Sequence, residues 1–197
     1  MSGSHLAAPS SQLLADSAQV HRLLFRLARE LQERHPDPAR VTLCGIVTRG
    51  VFLADRLRRL IAEQGGGTWE GVSLDVGPYR DDRVRPALAT PSGELVAFPL
   101  PAATADGVRD RVVVLVDDVF YHGRTARAAL VALAELARPR AVELLVLVDR
   151  GHRELPLRAT YVGKNIPTAQ NERVAVRVAD FDPQDAILLD RIVGSPA

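Results

Sequence analysis

The stretch VVVLVDDVFYHGRTARAAL, residues 112–130, runs an apolar segment into two adjacent carboxylates, Asp117 and Asp118. Phe120, Tyr121, His122, Gly123, Arg124 and Thr125 follow, and then an Ala/Leu-rich run. Carboxylates only accept hydrogen bonds, so the pair suits sugar hydroxyls or the sphere of a cation and cannot take a phosphate. Gly123 lets backbone approach a ligand closely. The helix predicted after it offers unpaired N–H groups and a positive dipole end, which do suit a phosphate. Thr125 adds a hydroxyl and Arg124 a cation. The loop thus asks for hydroxyls on one side of its ligand and a phosphate on the other, as in a ribose 5-phosphate. A helix cap beside two solvated aspartates has the same spacing, and residue types alone leave both readings open.

These residues need a scaffold that brings strand ends together. Apolar Val20, Leu23, Leu24, Leu27 and Leu31 recur at helical spacing across residues 17–34, and HPDP at 35–38 ends that helix. VTLCGIV (41–47) reads as a buried strand, Thr48-Arg49-Gly50 as a tight loop, and residues 51–64 as a helix stopped by three glycines. VSLDV (72–76) reads as the next strand. RVVVLV (111–116) and AVELLVLV (141–148) are near-continuous apolar runs, as in strands covered on both faces, with a helix over 125–137 between them. This alternation predicts an α/β fold: an open, mostly parallel, twisted sheet flanked by helices. Ligands collect at the carboxyl ends of such strands, where both loops lie. Residues 1–16 are expected to be a flexible tail and 17–197 a single domain. From about 77 to 110 prolines and charges break the pattern. A β-hairpin flap is expected there, with LVAFPL as its return strand.

Composition narrows the class. Hydrophobic residues make up 47% of the 197 and charged residues 25%, which is the balance of a globular domain with a real core. The net charge of +1 gives no bulk argument for nucleic acid or membrane, so a basic surface must come from segregation of charge. One cysteine, Cys44, excludes a disulfide framework and a cysteine zinc site. No segment reaches the length of a membrane span, and the first residues lack the pattern of a secretory signal. A cytoplasmic protein is expected. The chain has neither G-x-x-x-x-G-K-[ST] nor G-x-G-x-x-G, which argues against a P-loop enzyme and a dinucleotide fold. Lys164 is the single lysine among 25 basic residues, which raises the question of a role arginine cannot fill.

VVLVDDVFYHGRT (113–125) resembles the phosphoribosyl pyrophosphate (PRPP) motif of the type I phosphoribosyltransferases. With GIVTRGVFLADRL (45–57), YRDD (79–82) and LVDRGHRELPLRATYVGKNIPT (147–168), the chain resembles more narrowly the pyrimidine operon attenuation regulators, over roughly residues 16–190. That family pairs RNA regulation with uracil phosphoribosyltransferase activity. The resemblance implies the type I phosphoribosyltransferase fold and transfer of ribose 5-phosphate from PRPP to uracil, giving UMP and pyrophosphate. Asp117 and Asp118 would hold the ribose hydroxyls, and Phe120 to Thr125 would wrap the 5-phosphate. Thr48, Arg49 and Gly50 would form the pyrophosphate loop. Tyr79, Arg80, Asp81 and Asp82 would ride on the flap, with Arg49, Arg80, Asp117 and Asp118 carrying the catalysis. The base would lie by Asp149, Arg150, Tyr161, Val162 and Gly163. Mg²⁺ would arrive with PRPP, and no protein ligand set for it is expected.

The same resemblance implies a second activity: binding of a hairpin in pyrimidine operon leader mRNA, promoted by UMP or UTP, by a homodimer or higher homo-oligomer. Arg26, Arg29, Arg34, His152, Arg153, Arg158 and Lys164 are the candidates. Independently, Arg22, Arg26 and Arg29 share a narrow arc of the first helix, at about 100° per residue, and clustered arginines suit phosphates. A solvated helix face, with Glu30 and Glu33 diluting the charge, is the alternative. The chain departs from the family pattern in three places. His122 stands where a threonine is usual, Gly77-Pro78 interrupts the strand before the flap, and Phe25 and Arg29 replace threonine and histidine. A regulator with weak or lost transfer, or a transferase for another base, are therefore the alternative readings.

Overall fold

All six residues of Val41–Ile46 are buried, so this segment must lie inside a sheet covered on both faces. The computed structural model describes residues 11–80 and 106–191 and places it there. The chain runs β1 (Ser11–Ala15), α1 (Ser17–Arg34), β2 (Val41–Ile46), α2 (Arg49–Glu63), β3 (Glu70–Leu74), β4 (Val112–Phe120), α3 (Arg124–Leu136), β5 (Ala141–Asp149), β6 (Tyr161–Asn165), β7 (Glu172–Arg177) and β8 (Ala186–Arg191). Five strands form a parallel sheet in the order β3-β2-β4-β5-β6. A smaller antiparallel sheet, β1-β8-β7, forms a second layer.

The helices cover the parallel sheet on opposite faces. On one, Leu24, Leu27 and Leu31 of α1 and Leu53, Leu57 and Ile61 of α2 meet Leu43, Val114, Val116 and Leu145. On the other, Ala128, Ala129, Ala132 and Leu133 of α3 meet Cys44, Val113, Leu115 and Val146. Each fully buried leucine contributes about 2 kcal/mol of transfer free energy. Burial pushes the Cys44 thiol up to about 12, so it is a packing group. The α1 start is fixed by a capping box: Asp16 accepts from the Gln19 N–H while the Gln19 side chain accepts from the Asp16 N–H.

Several expectations are revised. Residues 11–15, expected in the tail, form β1 and pair with β8. The third parallel strand does not stop at Val116. Its pairing with β5 continues through Asp117 opposite Val146 to Phe120 opposite Asp149, so both aspartates sit on strand rather than in a loop. The strand expected at 72–76 spans 70–74 because its partners on β2 are Thr42 to Ile46. Gly77–Tyr79 then makes a short 3₁₀ turn. Of the hairpin flap expected over about 77–110, residues 81–105, with Asp81, Asp82 and LVAFPL, lie outside those described. The antiparallel layer built from β7 and β8 was not anticipated.

Candidate functional site

Two strand ends create the site. β2 leads into Thr48 and the start of α2, where the Val47–Thr48 peptide is cis. Gly50 is required there, since a Cβ would lie 2.2 Å from the Val116 carbonyl oxygen of β4. β4 leads through Tyr121-His122 to Gly123, whose φ of +89° suits glycine and turns the chain into α3. A cleft of about 440 Å³ opens between them. Thr48, Arg49, Arg80, Asp117, Asp118, Phe120, Tyr121, His122, Gly123, Arg124, Thr125 and Arg150 all line it.

The electrostatics follow from this crowding. Loss of solvent, and then the neighbouring Asp118 charge, hold the Asp117 carboxyl well above the ordinary carboxylate range. The two side chains also tie their own backbone: Asp117 Oδ1 accepts from the Asp118 N–H at 2.9 Å, and Asp118 Oδ1 from the Val119 N–H at 2.8 Å. Arg80 donates to Thr125 Oγ1 at 3.0 Å, bringing the segment after β3 onto the first turn of α3. Tyr79 anchors that segment from behind through a 2.6 Å bond to Glu135 of α3.

The far wall comes from the antiparallel layer. Arg173, Val174, Ala175, Val176, Arg177 and Asp182 line the cleft opposite the aspartates. None was singled out from sequence, although ERVAVR alternates with period two and its two valines are buried. Asp182 takes both Nε and Nη2 of Arg49, at 2.9 and 2.8 Å, and the Val178 N–H at 2.8 Å. Burial alone would raise the Asp182 pKa. The bonds from Arg49 and Val178 outweigh it and hold the group below its ordinary value.

Of the residues expected around a base, Arg150 alone lines the cleft. It is buried, donates to Thr168 Oγ1 and the Glu172 carbonyl, and lies 3.9 Å from the Tyr121 ring centroid. Burial is the main cause that lowers its pKa. Tyr161 points away, donating to Glu143 Oε2 at 2.6 Å beside His35. Its phenol is pushed up, first by burial and then by Glu143. Val162 and Gly163 already accept from Arg26, at 2.9 and 2.6 Å. Asp149 accepts from Gly151 N–H and from Arg153. Tyr161, Val162 and Gly163 lie on β6, the strand at one edge of the parallel sheet, against α1 and away from the central strand β4 that carries Asp117 and Asp118.

The basic candidates are not a uniform free surface. Arg22, Arg26 and Arg29 are exposed on α1, as their spacing predicts, with Arg29 6.0 Å from the ring of exposed Phe25. Arg34 pairs with Glu143, His152 with the Thr168 carbonyl, and Lys164 with the Leu14 carbonyl at 3.1 Å. The Lys164 contact ties the parallel sheet to the strand that replaced the expected tail. Arg158 is exposed.

Strand ends, a glycine turn into a helix and an acidic pair thus meet in one cleft. The chain belongs to the phosphoribosyl transferase domain family, which it matches over residues 11–181. Within it, the chain groups with proteins named bifunctional protein PyrR. It is 48% identical over 185 residues to the one from Mycolicibacterium paratuberculosis, covering 92% of this chain and 94% of that one. It is 47% identical over 182 residues to that of Streptomyces coelicolor, covering 92% and 90%. Among solved structures it resembles the hypoxanthine phosphoribosyltransferase of Trypanosoma cruzi, with a TM-score of 0.65 at 16% identity over 91% of this chain and 96% of that one. It also resembles the HGPRT-ase from Leishmania tarentolae in complex with GMP, with a TM-score of 0.60 at 16% identity over 91% of this chain and 97% of that one. These two likenesses speak for the fold.

Proposed function

We propose that the chain transfers ribose 5-phosphate from PRPP to uracil and, as a second activity, binds pyrimidine operon leader RNA when uridine nucleotide is bound. The supporting observation is the convergence in one cleft of Thr48 and Arg49, the Asp117/Asp118 pair and the Gly123 turn. The bifunctional relatives support pairing that chemistry with regulation.

In this reading N1 of uracil attacks C1 of the ribose as the bond from C1 to pyrophosphate breaks, through a transition state with oxocarbenium character, and the N1 proton passes to solvent or to the departing pyrophosphate. Asp117 and Asp118 accept the ribose hydroxyls and favour positive charge on the ring. Backbone N–H groups at 48–50 and the Arg49 and Arg80 guanidinium groups stabilise charge on the departing pyrophosphate. The N–H groups at the α3 start and the Thr125 hydroxyl seat the 5-phosphate. The base packs between the Tyr121–Arg150 side and Val174, Ala175 and Val176. No covalent nucleophile is required.

The donor set suits Mg²⁺ carried by PRPP, since Mg²⁺ takes one or two carboxylates and fills its sphere with phosphate oxygens and water. Asp117 and Asp118 would hold it, and it would neutralise charge on the leaving group. Among the described residues no group of three or more His, Cys, Asp or Glu is arranged to hold a metal alone. No described helix is long and apolar enough to cross a membrane, and a cytoplasmic setting fits this chemistry.

The test is UMP formation from uracil, PRPP and Mg²⁺, with hypoxanthine as competing base and an RNA hairpin titration with and without UMP. Conversion of uracil supports the transferase, and UMP-dependent RNA binding supports the regulator. One observation favours a second reading with diminished transfer: His122, in place of a small hydroxyl, stacks on Tyr121 with ring centroids 3.6 Å apart. Silence with both bases but UMP-dependent RNA binding selects that reading. Recovery of turnover in His122→Thr then assigns the loss to this ring.

A further inference from the structure

The loop after β5 is fastened by backbone hydrogen bonds to residues 120–122, where β4 ends. Arg150 N–H donates to the Phe120 carbonyl at 2.9 Å and Glu154 N–H to the His122 carbonyl at 3.2 Å. The Glu154 carboxylate is thereby delivered to the rim. One oxygen accepts Nε and Nη2 of Arg124 at 3.1 and 2.8 Å, and the other lies 3.6 Å from His122 Nδ1. Arg124 and His122 line the cleft, whereas Glu154 is not among its lining residues. Two cationic or potentially cationic side chains of this loop, His122 and Arg124, therefore share a carboxylate partner that is not among the residues lining the cleft.

We propose that Glu154 is a positioning residue that limits the affinity of this loop for phosphorylated ligands. The inference rests on reading residues 120–125 as the 5-phosphate loop. A phosphate seated at the α3 N-terminus draws Arg124 and His122 toward itself, and each must loosen its contact with Glu154 to respond. The negative charge of Glu154 also remains nearby and repels the ligand. The three side chains are 34–46% exposed, so solvent screens this contest and its effect is modest. Its chemical consequence is a loop that holds a 5-phosphate, that of PRPP or of UMP alike, less tightly than its donors alone would. Backbone anchoring of Glu154 to His122 keeps the carboxylate in place whichever ligand is bound.

Glu154→Gln preserves side-chain shape and an oxygen for Arg124 while deleting the charge. By calorimetry on the full chain, UMP is expected to bind about threefold tighter to the variant at low salt, the effect of one screened charge a side-chain length away. The gain shrinks at high salt. Uridine, which lacks the phosphate, is expected to bind both proteins equally, and Glu154→Asp to stay near wild type for UMP. Unchanged UMP affinity, or parallel weakening of UMP and uridine, overturns the proposal and leaves Glu154 a purely structural strut. Equal tightening by Glu154→Asp overturns it too, because charge is then not the cause. Failure of the wild-type chain to bind UMP or PRPP overturns both this inference and the reading beneath it, which separates the two failures.

Discussion

Asp182 clamps the wall of the cleft to its floor, and replacing it with asparagine isolates the charge. The carboxylate takes two N–H groups of Arg49 at the start of α2, and Arg49 also lies 5.2 Å from the Phe181 ring, itself 6.0 Å from Phe52. A hydrogen bond to a charged group contributes about 1.5–3 kcal/mol when buried, and an exposed ion pair about 0.2–1 kcal/mol. Arg49 is 31% exposed and Asp182 14%, an intermediate setting. Asparagine keeps an oxygen for Val178 N–H and loses the charge facing Arg49, so the expected cost is about 2 kcal/mol. With a urea slope of about 2 kcal/mol/M, the unfolding midpoint falls by about 1 M at pH 7 and fixed protein concentration. The pH dependence carries the sign. Asp182 has a folded pKa below its unfolded value, so the stabilisation is fully present above the unfolded value of about 4 and is lost as pH falls through the folded one. Urea titrations of both proteins from pH 7 to the lowest pH at which the fold survives should therefore converge in acid. A gap that stays constant across that range, or a midpoint that does not move at pH 7, refutes the argument.

Asp117→Asn should stabilise the ligand-free chain. Its folded pKa is raised, so ionisation opposes folding, and the gain seen by urea unfolding should be absent near pH 4 and grow as pH rises. The same variant should lose transfer activity, since the group that strains the empty fold is the one that meets the ribose. Asp118→Asn should lower kcat/KM at least a hundredfold in the UMP assay and leave hairpin RNA affinity within about twofold, because the basic candidates lie outside the cleft; equal loss of both would sink the two-site picture. Gly50→Ala should cost about 3 kcal/mol or more, or abolish soluble expression, because its Cβ would lie 2.2 Å from the Val116 oxygen and backbone must move.

Local chemistry made much of this protein legible before any coordinates. Helical spacing located α1 at residues 17–34, and unbroken apolar runs located β2, β4 and β5, because elements buried on both faces leave no polar period. Asp117, Asp118, Gly123, Arg124 and Thr125 lie within nine residues, so their residue types suggest a ribose phosphate site from sequence, although a helix cap beside two solvated aspartates has the same spacing. Tertiary structure decided the rest. Arg173, Arg177 and Asp182 join Arg49 and Asp117 only because an antiparallel layer folds over the strand ends, a long-range event without local signal. Arg26, legible as an exposed stripe, also reaches the carbonyls of Val162 and Gly163, 136 and 137 residues away. Residues 11–15 read as a tail because five residues cannot hold a strand alone; β8 supplies the missing partner. Sequence fixes what each side chain can do, whereas the packing of distant segments fixes which partner it meets and how much solvent remains around it.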